Sequence, residues 1–283
     1  MLLGAHVSIA GGVDKAPARG AQIGCTAIQI FTKNQRQWDA PPLSQKEILG
    51  FQQALADSPI KCVVAHASYL INLCSPDKNQ LHKSRESFIL ELERAESLKI
   101  RSYIFHPGAH KGLGQKMGIE LIAESLNFIL ERCAGFNTEI VLETTAGQGT
   151  SIGFEFCQLR EIINLVDQNH KLGVCLDTSH IFAAGYDLRT PTAYKNTMSA
   201  FDREIGFDRL KAIHLNDSRK EFGSRLDRHE RIGQGKIGLA AFGFIINDPV
   251  FNQIPKLIEI PGGMESDQQD LMLLKSMITP DEG

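Results

Sequence analysis

The sequence predicts a closed (β/α)8 TIM barrel, because short apolar segments alternate along the chain with segments of helical periodicity. Eight runs rich in Val, Ile and Leu start roughly every 36 residues, a spacing consistent with βαβ units. Most runs are continuously apolar, as expected for buried parallel strands. The alternative, an open doubly wound sheet, commonly carries a glycine-rich phosphate loop, and the Gly11-Gly12 pair is too weak a signal for one. Eight units therefore favour a barrel with its active site at the carboxyl ends of the strands.

The strands and helices are predicted from the apolar pattern. The predicted strands are Leu2–Val7, Ala27–Phe31, Cys62–His66, Ser102–His106, Glu139–Glu143, Leu172–Asp177, Leu210–His214 and Lys256–Ile260. The predicted helices, with apolar residues three, four or seven positions apart, include Gln80–Lys99, Ile119–Cys133, Phe156–Val166 and Leu239–Ile246. Because no low-complexity linker interrupts this rhythm, we expect residues 1–283 to form a single domain.

Composition sets only broad limits on function. The chain is 42% hydrophobic and carries a net charge of −3, which disfavours a generally basic nucleic-acid wrapper but allows a local positive patch. The six cysteines are scattered without a CxxC pair, which is typical of reduced thiols. The sequence contains neither a signal-peptide pattern nor an apolar run of about 18 residues. We therefore expect a cytoplasmic protein without a membrane span.

Six consecutive predicted strands end in a residue that can bind a metal ion. These residues are His66, His106, Glu143, Asp177, His214 and Glu259. One such residue alone is more often a cap or a satisfied core group. In a barrel, however, the carboxyl ends of all strands face one mouth, so six of them would converge there. Packed imidazoles and carboxylates would repel each other or remain unsatisfied, and divalent cations resolve both problems.

Three further candidate ligands lie beyond strand ends: His180, Asp227 and His229. Nine ligands exceed the needs of one ion, so the pattern predicts a cluster. Mixed nitrogen and carboxylate donors suit Zn²⁺, with Mn²⁺ or Fe²⁺ less favoured. Clusters of two or three metals favour hydrolysis of a phosphate ester.

The other four histidines are weaker candidates. His6 and His110 lie near predicted strand ends, where either could orient a ligand or bind substrate. His82 and His170 lie among charged residues and are expected to be solvated.

Many separate motifs, in one order from about Gly4 to Glu259, resemble the endonuclease IV family (AP endonuclease family 2) of apurinic/apyrimidinic DNA-repair nucleases. They are Gly4-Ala-His-Val-Ser8, Phe31-Thr-Lys-Asn-Gln-Arg-Gln-Trp38, His66-Ala-Ser-Tyr-Leu-Ile-Asn-Leu73, Phe105-His-Pro-Gly108, Glu143-Thr-Thr-Ala-Gly-Gln-Gly149, Asp177-Thr-Ser-His180, Ala183-Ala-Gly-Tyr-Asp-Leu-Arg-Thr-Pro191, His214-Leu-Asn-Asp217 and Asp227-Arg-His229. The one departure is Ile260-Pro-Gly-Gly263 after Glu259, which differs from the family's usual continuation and affects loop eight.

The resemblance implies a (β/α)8 hydrolase with three zinc ions, which Mn²⁺ could replace in part. Such an enzyme acts in base excision repair. It hydrolyses the phosphodiester 5′ to an abasic site, leaves a 3′-OH and a 5′-deoxyribose phosphate, and removes 3′-blocking groups. The implied ligand sets are His66, His106 and Glu143; Glu143, Asp177, His214 and Glu259; and His180, Asp227 and His229. Glu143 and Glu259 carry the implied catalytic roles, Glu143 as a bridge between two ions and Glu259 as a residue that orients the attacking water.

The resemblance also implies a DNA partner, namely double-stranded DNA with abasic sites or blocked 3′ ends. Arg36, Tyr69 and Leu70 would enter the duplex beside the flipped abasic sugar, which costs less to open than an intact pair. Trp38 is expected to pack a loop instead. The segment 218–236 carries six basic against three acidic residues and is a possible phosphate-contacting edge. A monomer is expected on family grounds.

Two rival functions fit parts of this pattern. A sugar isomerase or epimerase would use the same barrel with one or two metal ions, so the third ligand set favours the nuclease. A non-catalytic binder of damaged DNA would have lost ligands, whereas all nine positions hold ligand-type residues.

Overall fold

The computed structural model describes residues 1–279, and at its centre is a closed barrel of eight parallel strands. A two-stranded antiparallel hairpin lies outside the barrel. In chain order the strands are β1 (Leu3–His6), β2 (Ala27–Phe31), β3 (Cys62–His66), β4 (Ser102–Phe105), β5 (Glu139–Glu143), β6 (Leu172–Asp177), β7 (Leu210–His214), the hairpin strands β8 (Asp217–Ser218) and β9 (His229–Glu230), and β10 (Lys256–Ile258). Strand β10 pairs with both β1 and β7 and so closes the barrel.

The predicted fold class is confirmed, and all eight predicted strands occur in the barrel. The differences lie at strand ends: β1 begins one residue later and ends one residue earlier than predicted. Strand β4 ends one residue early and β10 two residues early, before His106 and Glu259. These two side chains therefore extend from the first residue after a strand.

Nine α-helices occur within the described residues, and most of them surround the barrel. They are α1 (Ala16–Gln22), α2 (Gln45–Ala56), α3 (Lys78–Ser97), α4 (Gln115–Arg132), α5 (Phe156–Leu165), α6 (Thr178–Ala184), α7 (Pro191–Glu204), α8 (Leu239–Ile246) and α9 (Met264–Ser276). The four predicted helices correspond to α3, α4, α5 and α8. Among residues 1–279, no helix combines the length and the apolar character needed to cross a membrane.

Local sequence sets several helix starts. At α2, Ser44 accepts a hydrogen bond from the backbone of Glu47, whose side chain accepts one from the backbone of Ser44. At α7, Thr190 caps the helix and Pro191 occupies the first turn, where no backbone donor is needed. At α6 the cap is Asp177 itself, which accepts from the backbone N–H of His180. The cap thus places two candidate ligands next to each other.

The inside of the barrel contains an apolar layer. This layer consists of Ala27, Val64, Ile104, Val141, Cys175, Ala212 and Leu257. Because side chains alternate between the two faces of a strand, the residue two positions later on each strand also points inward, one step closer to the mouth. On six of the strands that residue is a candidate metal ligand.

A buried ion pair fastens two loops at the mouth to α3. Lys33, just after β2, lies with its Nζ 3.0 Å from Oε1 of Glu91 on α3, and both side chains are 1% exposed. The other carboxylate oxygen of Glu91 accepts from the backbone N–H of Ser68 at 2.9 Å and from the hydroxyl of Tyr103 at 3.0 Å. Glu91 therefore holds the loop after β2 and the loop after β3 in one arrangement.

Candidate metal centre

The first group of candidate ligands joins β3, β4 and β5. The Nε2 atoms of His66 and His106 lie 3.0 Å and 3.2 Å from Oε2 of Glu143, which is fully buried. The Nδ1–H of His66 donates to the carbonyl of Ala67 at 2.7 Å, which leaves the lone pair of Nε2 available to a metal ion. The three ligand atoms all lie within 4.8 Å of one another, so one ion could bind to all of them.

The second group shares Glu143 with the first. The other carboxylate oxygen of Glu143, Oε1, lies 3.0 Å from Nδ1 of His214. The same nitrogen is 3.4 Å from Oε2 of Glu259 and 3.7 Å from Oδ2 of Asp177. Glu143 thus presents one oxygen to each group, the arrangement that a bridging carboxylate requires.

The third group lies toward the outer edge of the mouth. Nε2 of His180 is 3.2 Å from Oδ2 of Asp227 and 3.3 Å from Nε2 of His229. His229 Nε2 is 3.5 Å from the second oxygen of Asp227. Asp177 also offers an oxygen to His180 and His229, a possibility that the sequence did not reveal. The structure therefore brings all nine predicted ligands together.

Two backbone contacts orient the imidazoles of the third group. His180 donates from Nδ1 to the carbonyl of Thr144 at 2.8 Å, and His229 donates from Nδ1 to the carbonyl of Glu259 at 2.9 Å. In each ring the other nitrogen, Nε2, points toward the carboxylate of Asp227. A backbone partner on one nitrogen is the usual means by which proteins orient a metal-binding histidine.

The hairpin and its loop position Asp227 and His229. Asp217 of β8 is fully buried and accepts from the backbone N–H groups of Ser218, Gly235 and Ile237 at 2.7 to 3.0 Å. Its Oδ1 and Oδ2 atoms therefore close the base of the loop. At the far end, the side chain of Gln148 accepts from the backbone N–H of Asp227 at 3.1 Å. Asp227 and His229 are thus held in place by hydrogen bonds at both ends of this region.

Carboxylates and imidazoles in the cluster shift the pKa values of one another. Burial alone would raise the pKa of Glu143, but His106 and His214 hold it well below its usual value. The pKa of Glu259 is likewise held low, against the effect of burial, mainly by His214. Burial opposes protonation of His180, yet Asp177 and Asp227 raise its pKa well above the usual value. Glu143 and Glu259 are therefore charged, as carboxylate ligands of a metal ion must be.

Comparison with known proteins identifies the family. The family described as the xylose isomerase-like TIM barrel matches residues 17–277. The probable endonuclease 4 of Chloroflexus aggregans is 48% identical over 277 residues, which cover 97% of each chain. The crystal structure of endonuclease IV from Thermus thermophilus matches with a TM-score of 0.87 and 34% identity, over 98% of each chain.

This chain belongs to the endonuclease IV family. It is accordingly a hydrolase of the phosphodiesterase class, as the sequence predicted. The D-psicose 3-epimerase with D-tagatose from Clostridium cellulolyticum matches with a TM-score of 0.66 over 98% of this chain and 95% of that chain. Its identity is 14%, so the likeness is one of fold alone.

The departure from the endonuclease IV pattern after Glu259 leaves this ligand candidate in place. The backbone N–H of Glu259 donates to the side chain of Asn216 at 2.7 Å, which fixes the start of loop eight. Gly262 and Gly263 then adopt φ angles of 111° and 74°, which suit glycine, and α9 begins at the next residue.

Two of the three residues predicted to contact DNA line the candidate site of this endonuclease IV relative. Tyr69 is 69% exposed, and together with Leu70 it lines a cavity of about 300 Å³ that also borders His106 and Asp227. Arg36 is exposed on the neighbouring loop and does not line this cavity. Trp38 is partly buried, and its backbone carbonyl accepts a hydrogen bond from the hydroxyl of Ser87 on α3.

The basic segment 218–236 is less available for DNA than its composition suggests. Arg219 pairs with Glu230, Lys236 with Glu221, and Arg231 with Asp270 of α9. The guanidinium of Arg225 lies 4.5 Å from the ring centre of Phe154. Much of this charge therefore acts within the protein.

The other histidines behave differently from one another. His6 lies beside the cluster, with Nδ1 3.3 Å from Oε1 of Glu259, and burial lowers its pKa. His110 accepts from the backbone of Gly114 at the start of α4, away from the ligand groups. His82 and His170 are exposed, as predicted.

Sequence reasoning missed Gln29, whose amide contacts both His214 and Glu259. The available signal was a polar residue at an inward position of an apolar strand, two residues after Ala27.

Proposed function

We propose that this chain is a zinc-dependent apurinic/apyrimidinic endonuclease of base excision repair. It hydrolyses the phosphodiester on the 5′ side of an abasic site in double-stranded DNA, leaving a 3′-OH and a 5′-deoxyribose phosphate. The barrel, proposed to be one domain over the whole chain, acts as a cytoplasmic monomer.

The observation that carries this proposal is the orientation of four buried or partly buried imidazoles. His66, His180 and His229 each donate from Nδ1 to a backbone carbonyl, and His214 meets the side chain of Gln29 through Nε2. In every case the other ring nitrogen faces a carboxylate oxygen within 3.5 Å. This donor set of lone pairs and charged oxygens fits divalent cations.

The nine residues would hold three ions. The first would bind His66, His106 and Glu143, the second Glu143, Asp177, His214 and Glu259, and the third His180, Asp227 and His229. Mixed nitrogen and carboxylate donors favour Zn²⁺, with Mn²⁺ able to replace it in part. When bound, such ions supply a nucleophile at neutral pH and neutralise the phosphate.

The residues of the chain carry out the remaining tasks. The carboxylates of Glu143 and Glu259 stay charged, and Glu259 lies at the inner edge of the mouth, where it can orient the attacking water. Tyr69 and Leu70 border the cavity, and with Arg36 they would fill the space beside a flipped abasic sugar. An intact nucleotide would have to be unpaired and unstacked first, which disfavours cleavage of undamaged DNA.

The same site would remove 3′-blocking phosphates or sugar fragments, because these are also phosphate esters at a DNA end. A sugar epimerase on the same fold is the alternative function. The third ligand group, on α6 and the hairpin outside the barrel strands, favours the nuclease.

The test is cleavage of a labelled duplex that contains one abasic site, with the undamaged duplex as reference. Zinc-loaded protein is expected to cut only the abasic strand, 5′ to the lesion, and to leave an end that a polymerase extends. Loss of one ligand in His106→Ala should abolish this nick, whereas His82→Ala removes an exposed histidine on α3 and should cut normally. No site-specific nick, or equal nicking of both duplexes, would overturn the proposal. A second duplex with a 3′-phosphate tests end repair by the same extension assay.

A further inference from the structure

Gln29 of β2 is a fully buried amide within the metal centre. Its strand is otherwise apolar along the inner and outer faces, from Ala27 to Phe31. Burying an amide costs free energy unless its donors and acceptor are paired, so its partners decide why it is there.

All three partners belong to the region of the candidate ligands. The Oε1 atom of Gln29 lies 2.8 Å from Nε2 of His214. Its Nε2 atom lies 2.5 Å from Oε1 of Glu259 and 2.9 Å from Nδ1 of His6. One glutamine thus contacts two ligand candidates, one at the end of β7 and one just after β10.

The chemistry of these partners fixes the orientation of the amide. A carboxylate only accepts hydrogen bonds, so the amino group of Gln29 must face Glu259. The amide oxygen therefore faces His214, and since this oxygen only accepts, Nε2 of His214 must carry a hydrogen. The reverse orientation would place two oxygens in contact at 2.5 Å.

This arrangement leaves the correct atoms available to a cation. With its hydrogen on Nε2, neutral His214 has a lone pair on Nδ1, the atom that faces Glu143, Glu259 and Asp177. At Glu259, the contact with Gln29 occupies Oε1, and Oε2 is the oxygen turned toward His214.

We propose that Gln29 is a positioning residue of the second metal site: it selects the ring tautomer of His214 and directs one oxygen of Glu259 toward the ion. The inference rests on the proposed function, in which Glu143, Asp177, His214 and Glu259 hold that ion. Outer partners of metal ligands typically contribute about 10- to 100-fold to metal affinity. Gln29→Leu keeps the approximate size of the side chain but removes both polar groups. It should lower the affinity for one of the three ions by that factor.

The experiment measures zinc retention by the loaded protein against increasing chelator. Wild-type protein and a matched control, Gln158→Leu, should release zinc at the same chelator concentrations. Gln158 is also a buried glutamine, 3% exposed, but it pairs with Gly153 and Glu155 and with no candidate ligand. Gln29→Leu should release one ion at about 10- to 100-fold lower chelator while retaining the other two.

A spectroscopic readout separates positioning from a general loss of structure. In protein loaded with Co²⁺, Gln29→Leu should alter the visible absorption of one ion, and Gln158→Leu should leave the spectrum unchanged. Gln29→Glu serves where the leucine variant does not fold. Its carboxylate can still accept a hydrogen bond from His214 but presents an oxygen to Glu259, so this variant should also lower the affinity for the same ion.

The outcomes distinguish the role of Gln29 from the proposed function. If wild-type protein binds no ion in these groups, the proposed function fails. If it binds three and the Gln29 variants release them like wild type with unchanged spectra, the proposed function stands and the role of Gln29 is overturned. A folded variant with lower affinity for one ion and unchanged affinity for the other two supports the proposed role of Gln29.

Discussion

The ion pair between Lys33 and Glu91 gives a prediction about both stability and DNA binding. Replacing Lys33 with Met keeps a long apolar side chain but leaves the carboxylate of Glu91 buried without its counter-charge. Removing one partner of a buried pair typically costs about 3–5 kcal/mol. The two side chains are 1% exposed and 3.0 Å apart, so water cannot compensate, and we expect a loss in this range.

A double-mutant cycle isolates the pair. Glu91→Gln keeps the shape of the side chain but leaves Lys33 charged and buried, so it should cost a similar amount. The double variant carries no buried unpaired charge, and its loss should fall short of the sum of the two single losses by about 2 kcal/mol or more. Urea denaturation at a fixed zinc concentration measures these free energies of unfolding.

The same variants should bind substrate more weakly. Lys33 lies three residues before Arg36, and Ser68, which donates to Glu91, precedes Tyr69. We therefore expect Lys33→Met to raise KM for the abasic duplex with a smaller effect on kcat. A variant within about 1 kcal/mol of wild type, or single losses that simply add in the double variant, would refute this reasoning.

Three further predictions concern the metal bridge, the DNA-side loop and a buried lysine. Glu143→Ala removes a ligand from two groups, so bound zinc should fall to one ion and kcat should fall by at least about 100-fold, and normal cleavage would contradict the bridge. Tyr69→Ala should narrow the preference for abasic over intact duplex in competition cleavage, whereas an unchanged ratio would exclude Tyr69 from lesion recognition. Burial lowers the pKa of Lys256 to about 8, and within the described part of the chain its Nζ donates only to the carbonyls of Phe251 and Ile254. Below pH 8 the lysine is charged in both states and burial of the charge destabilises the fold. The free energy of unfolding should therefore increase by up to about 3 kcal/mol as pH rises from 8 to 10.5, relative to the Lys256→Met variant measured under the same conditions. The same pH dependence of stability in both proteins would contradict this prediction.

The barrel strands could be predicted because burial on both faces leaves continuous apolar runs, as in Glu139–Glu143 and Leu172–Asp177. The six ligands at strand ends followed from the same pattern, since parallel strands bring their carboxyl ends together. The predicted strand ends at His106 and Ile260 were wrong by one and two residues, because pairing stops at the last residue of each apolar run, Phe105 and Ile258.

Some contacts in the fold are not indicated by any short sequence pattern. The hairpin of Asp217–Ser218 with His229–Glu230 has strands of two residues, too short for any periodicity. Lys33 and Glu91 are 58 positions apart in the sequence, and only the fold brings them into contact. Gln29 could have been found by counting two residues forward from Ala27 along the inner face. A single polar side chain in a strand, however, can equally well bond to a nearby backbone group, so its position alone does not point to a metal centre.

The central claim is that the strand ends and the hairpin loop form one three-metal centre. Anomalous diffraction at the zinc absorption edge, from crystals of zinc-loaded protein, tests it most directly. We expect three peaks: one among His66, His106 and Glu143, one among Glu143, Asp177, His214 and Glu259, and one beside His180, Asp227 and His229. A single peak in the mouth, or peaks away from these residues, would contradict it.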